Sequence, residues 1–424
     1  MRLLRPGYVL APAIGALWTL IMMVTVIVTF TLVTGAEATL SPIAAVLTGG
    51  LAGLLLVWRQ GVSQGTGSTG SEVPFLSLQG QRGCLILAVG VVVLFTVLRG
   101  GQPFGLPLRV STGGQVIGVA ALGFLVAWPL RDMLRDYGWD DQGRHAFEHV
   151  LIRFLAGFGF VVFTAAVAIP FMVMVMTSLK SQQELLANPL DFSIDLGRGW
   201  ELLRSYEELF RDFNFGRYLA ISAVVSVATV IITLLFSIPG AYAVSRLRFR
   251  GSAAFSRSIL LIYMVPMIVL ALPIYVAFSI TGLRNSLIGI LLIYPVTTIP
   301  VALYMLQGYF RGLPGEVEEA GLMDGLGRLA VIWKITLPLS LPALASVSLY
   351  VFMIAWNEFL LAFMLLDDPS IFTLTRGVVM LNSSEIPRQH LMAGSVLATV
   401  PVMAIFVGLE RFMTRGLTAG SVKG

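Results

Sequence analysis

Ten stretches without a formal charge set the pattern of the chain: 6–36, 39–58, 83–98, 110–130, 154–179, 218–245, 258–283, 285–310, 335–357 and 389–409. A helix that crosses a bilayer needs roughly 20 apolar residues, about 17 at the least. Nine of the stretches meet that length and 83–98 is marginal. The pattern therefore predicts an all-α polytopic membrane protein with about ten transmembrane helices. Two of the segments between them stand out. One is the charged linker 131–153. The other is 313–342, LPGEVEEAGLMDGLGRLAVIWKITLPLSLP, acidic in its first half and broken at Gly325.

Composition agrees with a membrane chain. Of its 424 residues 57% are hydrophobic and 12% charged, and the mean hydropathy is +0.87. A soluble domain carries about 25% charged residues. The net charge of +5 does not imply a nucleic-acid partner, because the basic residues sit in loops between spans. With the N-terminus inside and spans alternating, 18 Lys/Arg face the cytoplasm and 10 face out. Five of those ten lie in one longer loop, 180–217, and long loops weigh less in this rule. The loop 245–257 carries Arg246, Arg248, Arg250 and Arg257 with no acid, and falls inside. Segment 313–342 falls on the same side, as does the C-terminus. Cys84 is alone, so no intramolecular disulfide forms. Arg2, Arg5 and the pattern Ala36-Glu37-Ala38 resemble a signal peptide, but the apolar run is too long, and an uncleaved first helix is expected.

The first four stretches contain no ionisable group, which argues against an ion pathway through them and for an accessory bundle. Gly49-x-x-x-Gly53 and Gly114-x-x-x-Gly118 suit close helix packing. In the linker, His145, Glu148 and His149 fit H-x-x-E-H, a zinc-peptidase pattern. No third ligand segment accompanies it, and an amphipathic surface helix accounts for the stretch equally; no metal site is expected. The loop after 154–179 holds a helical amphipathic stretch around 200–213, with Trp200, Tyr206, Phe210 and Phe213 suited to the headgroup level. Pro239, Pro266, Pro273, Pro295 and Pro300 punctuate the following spans, and Gly282 to Ser286 reads as a tight turn.

Segment 313–342 reads as two short helices. Pro314 suits a first helical turn, Glu316, Glu318 and Glu319 complement the dipole there, and Asp324-Gly325 is a turn signal. The pattern Glu319-Ala320-Gly321-x-x-Asp324-Gly325, nine residues, then Ile335-x-Leu337-Pro338 resembles the EAA loop of binding-protein-dependent ABC importer permeases. Gly321 stands where that pattern usually has a second Ala. Ala355-Trp356-Asn357-Glu358-Phe359-Leu360, Phe372-Thr373-Leu374-Thr375, Gly240-Ala241-Tyr242-Ala243 and the ending Gly416 to Gly424 resemble the smaller permease subunit of maltose-type transporters.

That resemblance implies a six-helix type I core over 146–424, with its permease region at about 217–410 and a coupling loop at 313–338, preceded by a four-span extension over 1–145. It implies a multi-pass protein of a bacterial or archaeal cytoplasmic membrane. It also implies four kinds of partner: a second homologous permease, two ATP-binding subunits, an extracellular or periplasmic sugar-binding protein, and lipid. Glu319, Ala320, Gly321, Leu322, Met323, Asp324 and Gly325 would dock on the ATPase, and Gly377, Asn382 and Ser383 would face the binding protein. Asn357 and Glu358 would line the substrate path or form a polar clamp between helices or between subunits, the clamp being favoured.

No cofactor is expected in the chain itself. None of Lys180, Lys334 and Lys423 stands in a phosphate-cradling G-x-x-x-x-G-K-[ST] loop, so ATP and Mg would be held by the partner ATPase. A gradient-driven transporter is the competing class. It calls for several ionisable groups at mid-membrane, of which only Glu358 qualifies.

Overall fold

The computed structural model describes residues 7–34, 42–65, 112–135, 137, 143–188, 194, 196–247, 249–261 and 265–418. The marginal stretch 83–98, Cys84 and the chain end from 419 lie outside the described residues, as do the surroundings of Gly114 and Gly118.

Among the described residues all regular structure is helical. Five of the described helices are long and apolar enough to cross a membrane. Arg328–Leu339 and Leu341–Asn357 pass the same test only as a pair, bent by 81° between them, and Pro42–Val57 and Met267–Ile280 are shorter apolar helices. The chain divides into two compact units, Met1–Met176 with Gln183–Gly197, and Thr177–Gln182 with Arg198–Gly424.

The first unit contains α1 (Gly7–Thr34), α2 (Pro42–Gly65), α3 (Thr112–Met133) and nearly all of α4 (Arg144–Ser178). On α1, Leu10, Ile14, Trp18 and Met22 recur every four residues and are buried, so one face of a wholly apolar helix packs inward. The Gly49-x-x-x-Gly53 pattern marks the α1–α2 seam. A Cβ on Gly49 would strike the backbone oxygen of Gly15, and one on Gly53 would strike that of Ala11. Such approach of two backbones is open only to glycine-like residues. Phe154 and Val161 of α4 pack on the core formed by Trp18, Val126, Leu130 and Met133. The boundary expected from sequence, 145/146, falls at the start of α4, whereas the compact units part at its far end.

The second unit takes in Thr177–Gln182 and resumes at Arg198, within the 3-10 turn Leu196–Leu203 that follows the short helix α5 (Gln182–Ala187); α6 (Arg204–Asp212) and the long α7 (Phe215–Arg246) come next. The amphipathic reading of 200–213 holds: Trp200 is exposed, while Leu209 is fully buried. Helices α8 (Ser252–Leu261), α9 (Met267–Ile280) and α10 (Leu287–Gly312) follow. The predicted turn between α9 and α10 is present, with Gly282 at φ +73° and Asn285 at φ +53°. Ser286 caps α10 by accepting from the Gly289 N–H at 3.0 Å.

Helix α7 buries a hydroxyl stripe: Ser222, Ser226, Thr229, Thr233 and Ser237. Thr233 meets Thr298 of α10 at 2.6 Å, and Ser237 donates to the Ile299 carbonyl at 3.4 Å. Small hydroxyl residues let helices approach within a bilayer and then bond across the seam.

Candidate functional site

The polar segment between the last two long spans folds as α11 (Gly315–Met323) and α12 (Arg328–Leu339), the latter containing a π turn at Ile332–Thr336. Pro314 is the N-cap residue of α11, just before its first turn. The helix ends at Asp324, and Gly325 takes φ +84°. The Leu326 N–H donates to the Gly321 carbonyl and the Gly325 N–H to the Leu322 carbonyl, both at 3.1 Å. These two bonds form a Schellman termination, whose left-handed residue is normally glycine. The turn read at Asp324-Gly325 is therefore explained atom by atom. Gly321 is buried, and a Cβ there would stand 2.5 Å from the tip of Ile335, so the missing Ala methyl matches tight packing of α11 on α12.

Of the seven residues expected to dock, six are exposed: Glu319, Ala320, Leu322, Met323, Asp324 and Gly325. Met323 is 87% exposed, which puts a large flexible apolar side chain at the tip of a polar loop. Gly321 faces inward instead, so it shapes the surface without belonging to it.

The neighbouring Glu318 behaves oppositely. It is 7% exposed and its carboxylate is shared by three elements. Tyr242 of α7 donates its hydroxyl to Oε2 at 3.2 Å, and Thr336 of α12 donates to Oε1 at 3.1 Å. Arg246 of α7 forms an ion pair, Nε to Oε1 at 3.4 Å, without the alignment of a hydrogen bond. The same guanidinium donates to the Leu313 carbonyl at 2.7 Å, where α10 gives way to the loop. A buried carboxylate is tolerable only when paired and hydrogen-bonded, and here it is both. Sequence reasoning passed over Glu318 because consecutive glutamates look alike in a string. The signal was the helical step of about 100° between neighbours, which sends two of them to different faces.

At the opposite end of the core, α13 (Leu341–Asn357) breaks at Glu358 and α14 (Leu360–Leu365) begins. The Glu358 carboxylate accepts the N–H groups of Leu361 at 2.8 Å and Ala362 at 3.1 Å. It thus caps α14, and Tyr294 lies beside it. The Glu358 backbone carbonyl accepts the Thr375 hydroxyl at 2.7 Å. Asn357 is exposed and bonds back to the Met353 carbonyl at 2.9 Å. Both residues have local structural partners, and within the chain the clamp is a helix cap.

The segment expected to meet a binding protein contains α15 (Leu374–Met380). Asn382 and Ser383 are exposed after it, but Gly377 is buried, and a Cβ there would collide with the Tyr218 ring. Gly377 is thus a packing residue and not a surface one. The Leu374 N–H donates to Ser222 Oγ of α7 at 2.7 Å, which fixes the start of α15. Nearby, Asn285 Oδ1 accepts the N–H groups of Asp367 and Asp368, both at 2.9 Å, and Arg284 pairs with Asp367 at 2.7 Å. Glu208 of α6 meets His390 Nε2 at 2.7 Å and Arg204 Nε at 2.8 Å. Burial raises the Glu208 carboxyl, but the bonds and charges of Arg204 and His390 outweigh that and hold it below its ordinary value.

His145, Glu148 and His149 lie on α4, where Glu148 pairs with Arg144 at 2.6 Å. Among the described residues no three His, Cys, Asp or Glu side chains are grouped to hold a metal.

Apolar helices with an exposed polar elbow between them make a polytopic membrane protein, and comparison with known proteins identifies which kind. Residues 235–418 match the family described as the binding-protein-dependent transport system inner membrane component. The chain is 37% identical over 269 residues to the inner membrane ABC transporter permease protein YcjP of Escherichia coli, covering 63% of this chain and 95% of that one. It is 31% identical over 282 residues to the trehalose/maltose transport system permease protein MalG of Thermococcus litoralis, covering 65% and 99% respectively. A bacterial ABC transporter that imports the acidic polysaccharide alginate shares the fold, with a TM-score of 0.53 at 22% identity over 64% of this chain and 98% of that one. The chain therefore belongs to the family of binding-protein-dependent transport system inner membrane components, and is a multi-pass membrane permease. More than a third of it has no counterpart in the two relatives.

Proposed function

We propose that the chain is one of two homologous permease subunits of an ATP-driven importer for a sugar or oligosaccharide. Two partner ATPase subunits bind ATP and Mg and work through the loop at 313–338, and an extracellular or periplasmic binding protein delivers the sugar near Asn382 and Ser383. The loop and both chain termini lie in the cytoplasm, and residues 1–145 form an accessory membrane extension. The observation that carries this reading is the exposed face formed by Glu319, Ala320, Leu322, Met323, Asp324 and Gly325, held on a helix whose opposite side is pinned by Glu318. The basic loop that holds Arg246 supports the orientation, since basic loops stay inside. The name of the Thermococcus litoralis relative supports a sugar substrate.

In this reading Glu319 contributes a charge contact to the ATPase, while Leu322 and Met323 fill a groove on it. Closure of the ATPases on ATP shifts the loop and switches the cavity between inward- and outward-facing forms. Glu319→Lys reverses the contact charge, and Gly325→Pro cannot adopt the left-handed turn. Each is expected to abolish uptake and to weaken co-purification of the ATPase. Wild-type uptake with both changes would refute the docking role. Isolation of the intact complex, with identification of the ligand carried by its binding protein, tests the sugar assignment.

A further inference from the structure

The loop 313–338 is covalently joined to α10 and α13, and Tyr309 of α10 donates to the Leu339 carbonyl at its end at 3.1 Å, yet the anchors of its buried carboxylate lie on neither helix. Two residues near the end of α7, Tyr242 and Arg246, hold the Glu318 carboxylate, and Arg246 also holds the first residue of the loop, Leu313. Thr336, placed by the π turn, closes the group from α12. Packing seals it: Tyr242 and Phe310 are buried in a cluster against which Leu313 and Ile332 pack. One carboxylate thus joins α7, α11 and α12, and its environment is too dry and too well paired for the joint to slip freely.

The other end of α7 is also pinned. Ser222 takes the Leu374 N–H, Tyr218 lies over Gly377 and meets the Phe372 ring, and Tyr218 and Phe215 belong to the same buried cluster as Phe372 and Leu374. From Tyr218 to Arg246 a helix rising about 1.5 Å per residue spans roughly 42 Å, more than the hydrocarbon thickness of a bilayer. No other described helix of this unit holds both the loop 313–338 and the start of α15 by side-chain hydrogen bonds.

We infer that Glu318 is a positioning residue for transport, which makes the coupling loop and α7 one rigid body and delivers motion of the loop through α7 to α15 on the opposite side. This deepens the proposed function and rests on it, since it takes the exposed face 319–325 as the place where force enters. Glu319 receives the partner; Glu318 directs what the partner does. Displacing the loop drags α7, and α7 carries with it the platform that presents Asn382 and Ser383.

The test uses the complete complex of permeases, ATPases and binding protein in proteoliposomes, reading substrate imported per ATP hydrolysed and the stimulation of ATP hydrolysis by the binding protein. Glu318→Gln keeps the exposed face intact, so the ATPases are expected to co-purify as in wild type while import per ATP falls at least tenfold and stimulation is lost. Ser222→Ala, at the far end, is expected to lower stimulation without affecting co-purification. Thr336→Val and Tyr242→Phe each remove one bond and should lower import per ATP by smaller factors, so the idea stays testable if Glu318→Gln does not accumulate. A residue that only stabilised the fold would change the amount of assembled complex and leave its import per ATP unaltered. Wild-type import per ATP in Glu318→Gln would overturn the inference, and so would loss of the ATPases from it. If Glu319→Lys leaves co-purification intact, it is the docking reading that fails instead.

Discussion

The two compact units solve the same packing problem in opposite ways. In the first, α1 and α2 meet through bare backbone: Gly15, Gly49 and Gly53 bring the chains so close that no side chain fits between them. In the second, helices are held by polar pins at both ends, from Glu318 with Arg246 to Glu208 with His390, and by hydroxyls between α7 and α10. A glycine seam holds its helices in one register, since a side chain at Gly15, Gly49 or Gly53 would strike the facing backbone. A pinned core has discrete joints, each of which can be made or broken as a unit. Transport needs two arrangements, and the joints lie in the unit that matches the transport family.

The largest effect should come from breaking the seam. Gly49→Leu sets a side chain against the Gly15 carbonyl, and backbone cannot yield as a side chain can. Its cost should exceed the ~1–3 kcal/mol typical of overpacking. Hydrogen exchange of α1 and α2 amides is expected to accelerate more than tenfold, with ATPase co-purification unchanged. Loss of co-purification would show that the first unit is no mere accessory. Next, Asn285→Ala removes two bonds to the Asp367 and Asp368 amides and puts a Cβ-bearing residue without local polar support at φ +53°. A loss of about 1–2 kcal/mol is expected, seen as a lower Tm of the purified protein.

Gly325→Ala at φ +84° should cost about 1 kcal/mol and lower uptake several-fold, sparing the core as measured by Tm. The smallest effect concerns pH. The folded-state Glu208 carboxyl lies below its ordinary value of 4.5, so its contribution is full above that value and disappears as pH falls through the lower folded value. Glu208→Gln should flatten that part of the Tm profile, from pH 4.5 downward.

Much of this was legible in one sequence because it depended on local rules. Gly325 as a helix terminator, the turn at Gly282 and Asn285, the amphipathic stretch before α7 and the glycine spacing on α2 all follow from residues within a few positions of each other. What escaped depends on distant chain. Gly377 owes its burial to Tyr218, and Glu318 owes its partners to Tyr242 and Arg246. Glu358 was singled out as an acid in a span, but its role as a cap appears only when the helix is seen to break after Asn357 and restart at Leu360. Hydropathy registers a charge in a membrane and is blind to the amides that satisfy it.

The π turn at Ile332–Thr336 has one more consequence, for what lengths of chain the loop tolerates. A π turn is a single extra residue accommodated within a helix. Nine residues separate Gly325 from Ile335, and the bulge falls within and just beyond them. Deleting one residue there would restore a regular helix and make it easier to form. Because the bulge absorbs that residue, the helix before it would keep nearly its present direction; a second deletion would rotate everything before it by about 100° relative to the following span, turning Glu319 and Met323 away. The spacer is therefore a protractor with one residue of slack: it tolerates the loss the bulge absorbs, and the next changes the angle at which the elbow leaves the membrane.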